Sequence, residues 1–216
     1  VATASREGGR LSFRVLAGEE GLFGNLLRAA ERGRMPYLVL SVLCLLLFLP
    51  GLGTLPPTDR DEARFMQASK QMIESGDYVH IKVQDAPRTK KPIGIHWLQV
   101  ASVKVFGQPL NAPWPYRVPS ALAAWLAVLL TCATGRRLFG ERAGFVAGLM
   151  TATLPLTLVE AHLAKTDAAL LGFCTLAMLA LARVYIALAE NLKADNRWVA
   201  AFWLAVGAAI LIKGPA

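Results

Sequence analysis

Long stretches without a charged side chain alternate with shorter polar segments along the chain. A helix that crosses a hydrocarbon core about 30 Å thick needs roughly 17–25 mostly apolar residues. Each stretch reaches that length when a few flanking residues are added, so the pattern predicts an all-α polytopic membrane protein. The charge-free stretches are Met35–Thr58, Val118–Gly135, Ala143–Val159, Ala168–Ala182 and Trp198–Ile212.

We expect five membrane-spanning helices after a polar, basic tail at residues 1–34. The tail is interpreted either as loosely ordered or as carrying a short amphipathic helix around Leu22–Ala30 on the membrane surface. The segment at about 53–115 is far longer than a typical connection, so it should hold structure or function. The predicted spans lie at about 36–52, 116–139, 143–162, 167–188 and 198–213.

Composition supports the same class of protein. Hydrophobic residues make up 55% of the chain and charged residues only 18%, whereas an ordinary soluble domain carries roughly 25% charged residues. These values exclude a soluble globule, a disordered chain and a disulfide-stapled secreted domain. Because the chain starts at Val1 and stops at Ala216 directly after an apolar stretch, we expect a fragment of a longer protein.

The chain has a net charge of +8, and the positions of its basic residues orient the predicted helices. Basic residues gather between the apolar stretches, which is typical of cytoplasmic loops, and we prefer this interpretation to nucleic-acid binding. With the N-terminus in the cytoplasm, the basic groups near 136–142 and 183–197 also fall on the cytoplasmic side. The long segment after the first span, the turn near 160–166 and Lys213 then lie on the outer side.

Two short amphipathic helices are predicted in that outer segment. The first, Asp61–Ser75, carries a stripe of residues at helical spacing and stops at Gly76. In the second, Ile93–Phe106, apolar residues alternate with polar ones, and Tyr78–Val83 between the helices is β-prone. The stripe of the first helix is Phe65, Ser69, Met72 and Ile73; the second has apolar Trp97, Val100 and Val105 and polar His96, Gln99 and Lys104.

Asp61 lies in a short acidic stretch directly after the first span, and two explanations stay open. Thr58 or Asp59 could cap a helix whose first turn carries acids that complement the helix dipole. Alternatively, Asp61 is a general base or binds a polar group of a substrate. Both can hold, because a capped helix is a rigid mount for a carboxylate.

Lysines near helix ends are candidate phosphate ligands. Lys90 and Lys91 precede the second short helix, where ammonium groups and free backbone N–H groups favour an anion; a solvated basic turn is the alternative. Lys213 either snorkels to the interface or makes a second phosphate contact. Asp167 either lies in the first turn of a helix capped by Thr166 or belongs to the site.

Ordinary explanations cover the cysteines and histidines. Cys44, Cys132 and Cys174 lie in apolar stretches, so we expect small buried packing residues. The histidines show no metal-ligand spacing and are given surface roles. We therefore assign no metal and no cofactor, with a divalent metal as the one open alternative. The three histidines are His80, His96 and His162.

Several short segments also occur in a characteristic order: Asp61-Glu62-Ala63-Arg64-Phe65, Glu74-Ser75-Gly76-Asp77-Tyr78, Lys91-Pro92, Trp97-Leu98, Tyr116-Arg117, Asp167 and Lys213-Gly214. Together they resemble polyprenyl-phosphate-sugar-dependent glycosyltransferases, the family of bacterial aminoarabinose transferases and protein O-mannosyltransferases. The resemblance covers about residues 36–216 and rests on the ordered set of segments rather than on any single one.

The resemblance implies that residues 35–216 are the N-terminal part of a membrane domain with the GT-C fold. It also implies an integral membrane enzyme that transfers a sugar from a polyprenyl-phosphate carrier. The acceptor would be lipid A, another envelope glycan or a protein at the periplasmic face of the bacterial inner membrane. Asp61 would be the base on the acceptor, and Asp167 a second acidic residue of the catalytic site. The residues expected around the substrate and its lipid phosphate are Lys91, Lys90, Arg64, Glu62 and Lys213.

One motif departs from the family pattern. Aminoarabinose transferases usually carry Glu-Lys-Pro where this chain has Lys90-Lys91-Pro92. A role of that glutamate, metal coordination included, does not carry over, and the added positive charge favours a more anionic ligand. We therefore expect a relative with another sugar or acceptor, whose partners are the lipid-linked donor, a lipid or glycan acceptor and membrane lipids.

The implied chemistry fits the residues. Breaking the bond between sugar C1 and phosphate makes an anionic leaving group that Lys91 would stabilise, while Asp61 takes the proton of an acceptor hydroxyl, with inversion at C1. If the acceptor is itself a phosphate, no base is required, and Asp61 would orient or bind it instead. The main rival is a transporter or flippase subunit for an anionic lipid-linked substrate, which should show polar residues near the bilayer midplane. A non-catalytic scaffold is the second rival.

Overall fold

The computed structural model describes residues 2–7, 10–15, 33–88, 91–107 and 109–214, and this part of the chain forms eight helices and two short hairpins. The helices are α1 (Met35–Phe48), α2 (Arg60–Ser75), α3 (Gly94–Phe106), α4 (Trp114–Phe139), α5 (Glu141–Thr153), α6 (Pro155–Ala161), α7 (Asp167–Ala189) and α8 (Asn196–Lys213). The strands are β1 (Ala2–Glu7), β2 (Arg10–Val15), β3 (Lys82–Val83) and β4 (Ala86–Pro87).

Both hairpins are antiparallel. The β1–β2 hairpin, in which Ala2 lies opposite Val15, falls in the tail that was expected to be loose or helical. Alternating apolar residues in β2 are typical of a strand. Of the extended segment expected at Tyr78–Val83, only Lys82–Val83 forms a strand, which pairs with Ala86–Pro87 in the β3–β4 hairpin. The amphipathic helix expected around Leu22–Ala30 lies outside the described residues.

Three of the predicted spans correspond to helices that are long and apolar enough to cross a membrane, namely α4, α7 and α8. The span expected at 143–162 is instead two helices, α5 and α6, bent by 59° and forming a broken span or a re-entrant loop. Leu154 at the break is extended, because Pro155 cannot donate a backbone hydrogen bond to the preceding turn.

The first predicted span is also shorter than expected. Helix α1 has 14 residues, which is about 21 Å at 1.5 Å per residue. Pro50 and Gly51 follow its end, and neither favours a continued helix. The five-span topology therefore stays a prediction, with three spanning helices, or up to four if the bent pair counts as one span, among the described residues.

Helix α4 lies at the centre of the fold and contacts α1, α3, α5, α6 and α7. Its small residues Ala124 and Cys132 are fully buried and pack against Leu40, Cys44 and Phe48 of α1. Close approach through small side chains is the usual way in which membrane helices pack. Cys44 and Cys132 are thus buried as predicted.

The prediction of a buried thiol was wrong for Cys174, whose side chain is exposed on α7.

Helices α2 and α3 pack against each other, and α3 also packs against the long helices α4 and α8. On α2, Phe65, Ser69 and Met72 are buried, as the sequence stripe predicts. Gly76 ends this helix with φ of 72°, a conformation that glycine adopts without strain.

The sequence pattern predicted the wrong buried face for α3. His96 and Gln99 are completely buried, whereas Trp97 and Val105 of the apolar set are 45% and 79% exposed. Two polar side chains can be buried here because Ser69 of α2 donates to Gln99 Oε1 at 2.6 Å and accepts from His96 Nδ1 at 2.8 Å. Burial lowers the pKa of His96 to about 4, so its ring is neutral near pH 7 and has no surface role.

Candidate functional site

The start of α2 places two acids at one end of the long helices. Asp59 caps the helix, and its carboxylate accepts a hydrogen bond from the Asp61 backbone N–H at 3.0 Å. Successive helical residues point about 100° apart, and so the Asp61 side chain is 59% exposed while that of Glu62 is fully buried. The capping explanation and the exposed carboxylate hold together.

Glu62 forms a buried ion pair with Arg117 of α4, with Arg117 Nε 2.7 Å from Glu62 Oε1. Glu62 also accepts hydrogen bonds from the backbone N–H groups of Thr58 at 3.3 Å and Ala164 at 3.1 Å. Arg117 in turn donates to the Leu52 carbonyl at 2.8 Å, and to two further carbonyls of that loop. This pair therefore joins the loop after α1, the start of α2, α4 and the turn before α7.

The structure corrects the role predicted for Glu62. Its carboxylate has no exposed surface and four hydrogen bonds to the protein. A carboxylate in that position cannot contact a lipid phosphate. The structural importance of Arg117, a lone arginine at the start of an apolar stretch, could have been inferred from the cost of placing a charge there.

A cavity of about 530 Å³ lies between α2 and the β3–β4 hairpin. Among the described residues, three cations line it, Arg64, Arg88 and Lys91, together with one carboxylate, that of Asp61. Arg64 Nη1 lies 3.6 Å from Asp61 Oδ1. The cavity thus carries an excess of positive charge, which suits an anionic ligand.

Arg88 is the functional residue that the predicted site set omitted. Its guanidinium lies 4.8 Å from the centre of the Phe65 ring, and partial burial lowers its pKa from the usual range, with Asp61 raising it and Arg64 lowering it further. A partly buried cation of this kind gains more from an anion than an exposed one. The signal in the sequence was the basic run from Arg88 to Lys91, of which Lys90 lies outside the described residues.

A second charged group forms where α7 and α8 meet. Lys213 at the end of α8 donates a hydrogen bond to Asp167 in the first turn of α7. Lys165 is ion-paired with Asp59; this contact lowers the pKa of Asp59 and, despite opposing burial, raises that of Lys165. Thr166 occupies the N-cap position of α7, but its side chain makes no capping hydrogen bond.

An apolar cavity of about 360 Å³ adjoins this group, between α6 and α7. Glu160 and Asp167 are its only acidic lining residues among those described, and Cys174 lines it as well. The Oε2 atom of Glu160 is buried without a hydrogen-bond partner. Glu160 was not predicted as a site residue, although a carboxylate at the end of an apolar stretch was a visible signal.

One small apolar cluster holds both charged groups at the same end of the fold. It consists of Phe65, Ile95, Ala169 and Ile212, one residue each from α2, α3, α7 and α8. Phe65 directly follows Arg64, and Ile212 directly precedes Lys213. The two segments with site lysines also adjoin, since a Cβ placed on Gly214 would lie 3.8 Å from Pro92 Cγ.

The site residues predicted from the sequence therefore separate into three sets. Asp61, Arg64 and Lys91 line the cavity between α2 and the β3–β4 hairpin. Asp167 and Lys213 form an ion pair with each other. Glu62 belongs to the buried ion pair that holds α2 against α4. Within the described ranges, no group of three or more His, Cys, Asp or Glu side chains is placed to hold a metal ion. The arrangement can bind an anion and present a carboxylate beside it.

The chain is similar in sequence to a known protein family and to several known proteins. Residues 90–216 match the sequence profile of a family described as dolichyl-phosphate-mannose-protein mannosyltransferase. An undecaprenyl phosphate-α-4-amino-4-deoxy-L-arabinose arabinosyl transferase of Pseudomonas fluorescens is 31% identical over 153 residues, which are 70% of this chain and 27% of that protein.

Two solved structures are similar to the fold, both of ArnT from Cupriavidus metallidurans. The apo structure has a TM-score of 0.71 and is 27% identical in sequence. The aligned region makes up 82% of this chain and 32% of the ArnT chain. The structure bound to undecaprenyl phosphate has a TM-score of 0.72 and is 26% identical in sequence. Its aligned region makes up 85% of this chain and 33% of the ArnT chain. The chain thus spans about a third of the length of these solved relatives.

Proposed function

Because the chain belongs to the dolichyl-phosphate-mannose-protein mannosyltransferase family, we propose that it carries the donor side of a membrane glycosyltransferase that uses a polyprenyl-phosphate-linked sugar. The observation that carries the proposal is the cavity lined by Arg64, Arg88, Lys91 and Asp61. Its surplus of positive charge suits the phosphate of such a donor. The named substrate of the Pseudomonas relative and the undecaprenyl phosphate bound to the Cupriavidus relative support the same ligand class.

The three cations would act on the phosphate in two ways. Arg64 and Arg88 offer planar guanidinium groups that can hold phosphate oxygens in pairs, and Lys91 adds a compact charge. When the bond between sugar C1 and the phosphate oxygen breaks, its electron pair stays on the phosphate. Cations already in place stabilise that developing charge without reorganisation.

Asp61 would act on the acceptor. The attacking acceptor oxygen forms a bond to C1 on the face opposite the leaving phosphate, and its proton passes to the Asp61 carboxylate. The configuration at C1 is inverted in this single displacement. The exposure of Asp61 beside the phosphate ligands favours this role over a purely structural one.

Asp167 would contact the transferred sugar rather than its phosphate. Its carboxylate can accept hydrogen bonds from sugar hydroxyl or amino groups, and Asp167 is one of the residues that line the apolar cavity. The charge of Lys213 is already matched by Asp167. We therefore assign Lys213 to holding Asp167 in position, in place of the phosphate contact expected from the sequence.

The acceptor and the orientation belong to the same proposal. We place the site at the periplasmic face of a bacterial inner membrane, with the N-terminus in the cytoplasm, because the basic groups at the other helix ends then obey the positive-inside rule. The acceptor would be an envelope glycolipid such as lipid A, another glycan or a protein.

The test replaces Asp61 by Asn in the full-length protein. Release of undecaprenyl phosphate from an undecaprenyl-phosphate-linked sugar is followed by mass spectrometry of lipids from membranes that contain the enzyme and acceptor. Loss of a general base typically lowers the rate by about 10²–10⁴-fold, while donor binding should change little. Asp85→Asn, which alters an exposed acid in the β3–β4 turn, is the matched control and should leave the rate unchanged.

Either of two results would contradict the proposal. Equal rates for Asp61→Asn and the control variant would remove Asp61 from the mechanism. Translocation of the intact lipid-linked sugar across the membrane, without release of undecaprenyl phosphate in the unmodified protein, would assign a transporter instead.

A further inference from the structure

The turn at residues 162–166 connects α6 to α7 and leads directly into Asp167, which lies in the first turn of α7. Thr166, at the N-cap position, makes no side-chain capping hydrogen bond, so a cap does not fix the start of this helix. Thr166 and Ala164 are nevertheless buried. Contacts from other elements therefore hold the turn, and the backbone of Asp167 with it.

The peptide groups of Ala164 are held from two sides. The Ala164 N–H donates to Glu62 Oε1 of α2 at 3.1 Å, and the Ala164 carbonyl accepts from Gln99 Nε2 of α3 at 3.1 Å. The Lys165 carbonyl accepts from Ser120 Oγ of α4 at a longer distance of 3.4 Å. Glu62 and Gln99 are completely buried, where a hydrogen bond is stronger than in water. Side chains from three helices thus fasten the turn.

A directed chain of hydrogen bonds orients the Gln99 amide for this contact. Ser69 Oγ accepts from His96 Nδ1 at 2.8 Å and donates to Gln99 Oε1 at 2.6 Å. Because the Gln99 oxygen accepts from Ser69, the amide nitrogen is the atom that faces the Ala164 carbonyl. An amide turned the other way would place two acceptors against each other. His96, Ser69 and Gln99 are completely buried.

The other end of this chain lies against the cavity between α2 and the β3–β4 hairpin. The centre of the His96 ring is 5.5 Å from that of the Phe65 ring. The guanidinium of Arg88, which lines the cavity, lies 4.8 Å from the centre of the same Phe65 ring. A continuous series of contacts therefore connects the cavity wall with the turn that precedes Asp167.

We propose that Gln99 is a positioning residue for sugar transfer: through the Ala164 carbonyl it fixes Asp167 relative to the phosphate-binding cations. This inference rests on the proposed function, in which Asp167 contacts the transferred sugar. Gln99 is completely buried and touches neither sugar nor phosphate. Its hydrogen bond still affects the rate, because a misplacement of about 1 Å can lower an enzymatic rate about 10²-fold.

A double-mutant cycle in the full-length protein tests this inference. Gln99→Met keeps a side chain of similar length and removes the donor to Ala164. The kcat for undecaprenyl phosphate release is measured at saturating donor, per molecule of protein that binds undecaprenyl phosphate, so that a lower yield of folded protein does not count as lost activity. We expect kcat to fall about ten- to 100-fold, while the apparent Kd of undecaprenyl phosphate stays the same.

Asp167→Ala provides the second side of the cycle. It should lower kcat about tenfold or more, because a hydrogen bond to a charged group is lost. In the Asp167→Ala protein, Gln99→Met should cause almost no further loss, since the position of an absent carboxylate has no effect. Ser69→Ala frees the Gln99 amide to turn and should show the same dependence on Asp167, with a smaller loss of kcat.

Ser102→Ala is the matched control on α3, because Ser102 Oγ donates to the Pro115 carbonyl of α4 at 2.6 Å and does not contact the turn. It should leave kcat unchanged. An unchanged kcat in Gln99→Met, or an equal loss with and without Asp167, would overturn the inference and leave the proposed function intact. Normal transfer by Asp167→Ala would contradict the proposed role of Asp167 itself, and the inference with it.

Discussion

At the scale of single residues, the neighbours Asp61 and Glu62 show how helix geometry divides two acids between site and core. Glu62 continues the buried stripe of Phe65, Ser69 and Met72 backward by one helical step. That spacing was visible in the sequence. The partner was not, because Arg117 lies 55 positions further along the chain and only the packed fold brings it to Glu62.

Replacing Glu62 by Ala tests its structural role. The change leaves Arg117 buried without a carboxylate, and breaking a buried ion pair in this way costs about 3–5 kcal/mol. The full-length protein in detergent should show a clearly lower Tm, and much of it should aggregate at physiological temperature. Thermal unfolding followed by tryptophan fluorescence gives the measurement.

Glu74→Ala is the control on the same helix, since Glu74 pairs with Lys70 at 3.7 Å near the surface. Surface pairs contribute about 0–1 kcal/mol, so its Tm should remain close to that of the unchanged protein. If both variants lowered the Tm equally, the Glu62–Arg117 pair would not be the structural centre that we describe.

His96 shows where single-residue interpretation failed. An isolated histidine without metal-ligand spacing favours a surface position, yet it is buried with Ser69 and Gln99. Gln99 also donates to the Ala164 carbonyl at 3.1 Å. Burial of polar groups depends on hydrogen-bond partners such as these, and the sequence does not show partners that are distant along the chain.

At the scale of elements, the pattern of hydrophobic positions located α2, α3, α4, α7 and α8 well. It missed the bend between α5 and α6, although Pro155 lies inside the apolar stretch and could have indicated a break. The face of α3 was also missed. In a membrane protein the exposed side of a helix can be apolar and the buried side polar, so amphipathic pattern alone does not give orientation.

The contact between α4 and α5 depends on glycine. A Cβ on Gly144 would lie 2.4 Å from the Arg136 backbone nitrogen and 2.6 Å from the Cys132 carbonyl oxygen. Gly144→Val should therefore separate the two helices, and overpacking of this kind costs about 1–3 kcal/mol or more. Size-exclusion chromatography of the detergent-solubilised protein should show a smaller monodisperse fraction and a lower Tm.

Gly207→Val on α8 is the matched substitution, because nothing lies within 4 Å of a Cβ at that position. Its chromatographic profile should equal that of the unchanged protein. Loss of the monodisperse fraction in both variants would indicate a general intolerance of valine in these helices rather than the close approach of α4 and α5.

At the scale of the whole molecule, residues from four distant stretches meet at one end of the helices. The charge pattern of the sequence predicted that Asp61, Lys91, Asp167 and Lys213 share a face, and the structure places them at one end of the fold. The charge pattern could not predict that Arg88 lines the same cavity, because the position of Arg88 depends on how the β3–β4 hairpin folds over α2.

The central claim is that α2 and the segment before α3 build one phosphate site, and donor binding tests it most directly. The apparent Kd of undecaprenyl phosphate is measured for the full-length protein in lipid nanodiscs. Arg64→Gln and Lys91→Gln should each weaken binding about tenfold or more, because each removes a charge-assisted hydrogen bond. Lys104→Gln removes an equal charge from the exposed side of α3, where Lys104 lies 4.3 Å from the Tyr78 ring centre, and should bind as the unchanged protein does; equal affinities for all three variants would contradict the account.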